Sequence, residues 1–95
     1  MTKNIAKQEL INLFTQFLTE TDLEKLRVLR DGIILLFSSI PFNASDSVGK
    51  EMELTLLKET TSLYINNGLN SAVKSLLFGD FHRILIKVSL SLLDE

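Results

Sequence analysis

Residues 21–41 read TDLEKLRVLRDGIILLFSSIP, and this stretch decides the fold. Leu23, Leu26, Leu29, Ile33, Leu36 and Ile40 recur at steps of three and four, while Glu20, Glu24, Arg27 and Asp31 follow the opposite side. That spacing is the period of an amphipathic α-helix. Thr21-Asp22-Leu23-Glu24 fits the capping box, in which Thr21 and Glu24 each satisfy an unpaired donor of the first turn. Pro41 closes the segment, because it disfavours helical geometry at Ile40 and cannot donate to the preceding turn. Gly32 costs about 1 kcal/mol of helix propensity, yet the pattern runs through it. From Ile33 to Phe37 the sequence is apolar all round, so this half of the helix is expected to be covered on several sides.

The pattern repeats on both sides. Upstream, a helix is expected from Asn4 to Leu18, with Leu10, Phe14, Phe17 and Leu18 as its stripe, Ile11 and Leu13 widening it, and Thr2 or Asn4 as cap. Downstream, residues 41–47 carry proline, asparagine, serine and aspartate, the chemistry of a turn. A third helix is expected from Val48 to Ile65, capped by Ser45 or Ser47, with Met52, Leu56, Leu57, Leu63 and Tyr64 facing in. Asn66-Asn67-Gly68 is its stop, with Asn67 or Gly68 free to take the left-handed conformation.

The last segment supports two readings. Leu69, Val73, Leu76 and Leu77 suggest a fourth helix, and Gly79-Asp80 could break it and cap a fifth. Beyond Arg83, Phe81, Leu85, Val88 and Leu92 lie on a helical face, while Ile84, Ile86, Val88, Leu90 and Leu92 alternate as in a strand. A lone strand leaves its backbone groups unpaired, so helix is the expectation. The whole is an all-α bundle of four helices, five if Gly79-Asp80 interrupts, forming one domain over residues 1–95 with short connections.

Composition narrows function by exclusion. The 95 residues are 45% hydrophobic and include 19 leucines, too apolar for disorder. The net charge of −2 is spread evenly, so no segment has the lysine and arginine excess that nucleic acid requires. There are no cysteines, which excludes disulfides and thiolate metal sites. The N-terminus is polar where a secretion signal needs its apolar stretch. The longest apolar run, Ile33 to Phe37, is far short of the ~20 residues of a membrane span. A cytoplasmic location without membrane insertion is expected.

No residue pattern carries chemistry. His82 is the sole histidine, and Asp80, two residues away, does not face it on a helix. Glu51, Glu53 and Glu59 lack the Glu-x-x-His pairing of bundle metal sites and read as a solvated face. None of the serines lies in Gly-x-Ser-x-Gly, and the four glycines are isolated. No catalytic residue, metal or cofactor is therefore expected.

What remains is an apolar excess. Leu54 beside Leu56 and Leu57, and Leu90 beside Leu92 and Leu93, put apolar groups on more than one face. Phe42 follows the helix-ending proline, either plugging the bundle end or meeting a partner. Phe42, Leu54, Ile86, Leu90 and Leu93 are the candidate interaction residues. The expected function is a non-enzymatic protein-interaction module, a small regulator or adaptor. A homodimer is expected to bury part of Arg83 to Leu93, because an element apolar on all sides needs a second surface. The size, acidity and helical layout are similar to those of bacteriocin immunity proteins, a likeness of architecture alone. It implies, as the alternative, protection against one toxin. A small apolar-ligand carrier is a further alternative.

Overall fold

The computed structural model describes the backbone of residues 3–42 and 47–91, with the side chains of residues 5–42 and 48–89. Four helices account for nearly all of it: α1 (Lys3–Thr19), α2 (Leu23–Ser39), α3 (Ser47–Asn66) and α4 (Ser71–Ser91). The short connections turn each helix back along its predecessor, as loops of this length require. Each helix packs chiefly against two others, α1 against α2 and α4, and α3 against α2 and α4. The helices therefore form a closed ring around one core, with extents of 39 × 22 × 18 Å. The fifth helix does not form, because α4 runs unbroken through Gly79 and Asp80.

The core explains why each helix sits as it does. Ala6, Leu10, Phe14 and Phe17 are the buried line of α1, and Leu26, Ile33 and Phe37 that of α2, which Ile40 extends. Leu57, Tyr64 and Ile65 come from α3, and Leu77, Phe81, Ile84 and Val88 from α4. Aromatic rings knit α1, α3 and α4 together. Phe14 stacks on Phe81 at 4.0 Å between centroids, and Phe17 meets the edge of Phe81 at 6.0 Å and Tyr64 at 5.7 Å. Such pairs add about 0.5–1.5 kcal/mol each beyond their buried area.

Several sequence expectations are corrected. Asn4 lies inside α1 and is not its cap, while Thr2 and Ser45 lie outside the described residues; Ser47 is already helical. The cap of α2 is Asp22, whose Oδ1 accepts from the N–H groups of Glu24 (2.9 Å) and Lys25 (3.3 Å). The carboxylate of Glu20 takes the N–H groups of Thr21 and Asp22, both at 3.1 Å, so Thr21 belongs to the turn. The second half of α2 is covered at Ile33, Ile34, Leu36 and Phe37 and open at Leu35, which is 72% exposed. In α3, Leu57 and Tyr64 face in as expected, but Met52, Leu56 and Leu63 are exposed, and the inward line runs through Glu53, Leu57, Thr61 and Tyr64. The buried Thr61 hydroxyl donates to the Leu57 carbonyl.

The helix ends follow local chemistry. Lys50 donates through Nζ to the carbonyls of Ile40 (2.6 Å) and Ser38 (3.0 Å), so a side chain of α3 completes the C-terminus of α2. At the end of α3, Gly68 has φ 67° and Leu69 φ 58°, and the N–H of Leu69 returns to the Tyr64 carbonyl. That closure is the Schellman motif. Asn70 then caps α4, accepting from Ala72 (2.8 Å) and Val73 (3.3 Å).

Candidate protein-interaction groove

Two places on the bundle depart from a plain apolar core with a polar surface. The first is a charge cluster around a buried glutamate on the α3–α4 seam. Glu53 is 3% exposed, and Arg83 grips its carboxylate at both ends, Nη2 to Oε1 at 2.7 Å and Nε to Oε2 at 2.8 Å. Lys87 approaches Oε2 at 3.3 Å, and Asp80 takes the remaining Nη1 of Arg83 at 3.0 Å. The hydrogen bonds from Arg83 hold the Glu53 carboxyl below the usual carboxylate range; burial opposes the shift, and Lys87 adds to it. The expectation of a solvated Glu53 is thus overturned, whereas Glu51 and Glu59 are exposed as expected. Two cations saturate this carboxylate, which leaves it no acid–base work. Its role is to fix α3 against α4. No group of three or more metal-ligating side chains converges among the described residues.

The second place is an open groove between α1 and α4. Its upper part is lined by Ile11, Phe14 and Leu18 of α1 and by Phe78, Phe81 and Leu85 of α4. A second depression, lined by Lys7, Ile86 and Ser89, adjoins it through the shared His82 and Leu85, and the two together make the groove. The Phe14–Phe81 stack forms the floor of the first. Phe78 and Ile86 stand on the rim, 67% and 48% exposed. The sequence explains the opening. On α4 the buried line Leu77, Phe81, Ile84 and Val88 is flanked by Phe78 and Leu85 one residue on and by Ile86 two residues on, a second apolar edge, with His82 among them, that the ring does not fully cover.

Among the described candidate interaction residues, Ile86 alone lines this groove. Phe42 is half-buried and plugs the bundle end: its ring meets the edge of Phe37 at 5.7 Å, and Lys50 Nζ lies 5.5 Å above it. Leu54 is half-buried against the core. Leu93 and the side chain of Leu90 lie outside the described residues. His82 is exposed in the groove wall. Phe78, Leu85 and Ile11 were missed. Their signal was present, as apolar residues one step off the main stripe of two helices.

Further exposed apolar groups lie on the outer faces of single helices. Val28 and Leu35 share the outer face of α2, and Val48, Met52, Leu56 and Leu63 that of α3, without a buried aromatic floor between helices. A depression between α1 and α2 is walled by Gln16, Glu20, Glu24 and Lys25, with only Val28 and Leu29 apolar. No described helix is long and apolar enough to cross a membrane. Compared with protein-family models, curated proteins and solved structures, the chain matches none.

Proposed function

We propose that the chain is a non-enzymatic protein-interaction module, a small regulator or adaptor, and that the α1–α4 groove is its docking surface. The observation that carries this reading is the exposure of Phe78 beside an aromatic-floored depression and of Ile86 in the depression that adjoins it through His82 and Leu85. Large apolar groups scattered singly need no explanation, but two of them beside a groove mark a place where a partner gains contact area. The saturated Glu53 and a His82 with no carboxylate among its groove neighbours support a non-catalytic role.

The test is affinity capture from the native cells with the wild-type chain and with the Phe78→Ser/Ile86→Ser double variant. Both positions are exposed, so the variant should fold. Proteins held by the wild type and lost by the variant are the expected result. The same set on both baits would end this reading.

A further inference from the structure

We infer that the α1–α4 groove takes an acidic amphipathic helix of a partner protein. This rests on the groove being the docking surface, and it names the occupant.

Shape sets the first limit. From Lys7 to Leu18 the groove follows α1 for about 16 Å, at 1.5 Å per residue. That is about three helical turns, the length over which a bound helix presents anchors at i, i+3 or i+4, and i+7. An extended peptide gains affinity by adding to a sheet edge. The groove walls are two helices, whose backbone groups are already paired along their own axes. A helix carrying its own hydrogen bonds is the occupant that loses nothing there.

Charge sets the second limit. The ionisable groups lining the groove are Lys7 and His82, and no carboxylate is among them. Asp80 and Glu53 are engaged by Arg83 on the α3 side of α4. A helix with glutamate or aspartate flanking its apolar anchors would therefore meet a cation at the Lys7 end and a donor at His82. A second copy pairing groove on groove, as a two-fold contact requires, would bring only lysine and histidine again. Nucleic acid would find too few cations here to release counterions. Complementarity of this kind fixes register and excludes wrong partners more than it adds affinity.

The probe is a displayed library of helical peptides about 18 residues long. It carries leucine at three successive anchor positions and a choice of glutamate, glutamine or lysine at the flanks. It is panned on the full chain, on Phe78→Ser/Ile86→Ser and on Lys7→Glu, each checked for folding by its helical circular dichroism. The expected winners are glutamate-rich, are lost on the double variant, and give way to lysine-rich winners on Lys7→Glu. Replacing the glutamates of a winner by glutamine should weaken binding about threefold at low salt. Winners with unselected or lysine-rich flanks on the wild type would overturn the inference while leaving the groove as a docking surface. No winners, or winners held equally by the double variant, would overturn both. A wild-type dimer in sedimentation that dissociates on the double substitution would make the second copy the occupant and overturn the inference.

Discussion

At the scale of single residues, Glu53 is the most consequential side chain that sequence misplaced. α3 carries two competing apolar lines, Met52-Leu56-Leu63 and Leu54-Leu57-Tyr64, one step apart. Sequence admits both lines, and neither includes Glu53. What turns it inward is a partner 30 residues away, Arg83 on α4, whose fork matches the carboxylate at both oxygens. Local periodicity carries no information about such a partner. The consequence is measurable with acid. Because its folded value lies below that of an unfolded glutamate, at about 4.3, Glu53 stabilises the fold fully above about pH 5. This contribution is lost as pH falls through the depressed folded value. The stability gap between wild type and Glu53→Gln in urea should therefore be about 1–3 kcal/mol at pH 7 and narrow by pH 3. Parallel stability curves across that range would show that the carboxylate contributes nothing by its charge. The cap of α2 offers a simpler comparison. Asp22→Ala should cost about 1 kcal/mol, and Thr21→Ala less than about 0.5; equal losses would contradict the assigned start. Sequence came within one residue here, because two cap-forming side chains stand side by side and only the bonds that Asp22 accepts from Glu24 and Lys25 distinguish them.

At the scale of elements, α4 shows where local and tertiary signals part. Gly79-Asp80 carries the chemistry of a break, and a two-residue alternation beyond Arg83 resembles a strand. The helix continues through both because Leu77, Phe81, Ile84 and Val88 bury one continuous face at steps of three and four. The stop at Asn66-Asn67-Gly68, by contrast, was legible, since glycine at positive φ is a local requirement. Gly79 lies mid-helix with nothing within 4 Å of an added Cβ. Gly79→Ala should therefore stabilise the protein by about 0.5–1 kcal/mol, read from the thermal midpoint. A loss of stability would mean that the glycine relieves a strain the helix does not display. The α1–α4 groove was only partly legible for a related reason. Ile86 stood out within its own segment, but Phe78 sat beside the supposed break, and Ile11 and Leu18 come from the other end of the chain.

At the scale of the whole molecule, the first three helices and their order followed from period and punctuation, while the choice between four and five rested on the unbroken α4. Which face each one buries depended on its two neighbours. The test of the assembled core contrasts two residues of the same apolar run. Phe37 is fully buried and meets Phe42, while Leu35, two positions earlier, is exposed to solvent. Phe37→Ala should cost about 3–5 kcal/mol, which for a chain this size lowers the melting temperature by well over 10 °C. Leu35→Ala should stay within about 0.5 kcal/mol. Similar effects at both sites would refute the orientation of α2.

The ring has one seam unlike the rest. Three of the four helix pairs join segments consecutive in the chain, and α1 against α4 joins the first to the last. Chain closure over that separation carries the largest entropic penalty of any contact in the bundle, so in folding the local pairs have the kinetic advantage and the α1–α4 seam arrives late. The groove lies on that seam. It exists as a surface only once the closing step is complete, and a helix seated in it bridges both walls. Occupancy would then slow the reopening of the ring and raise the amide-exchange protection of α1 and α4 together, a latch set on the last step of folding.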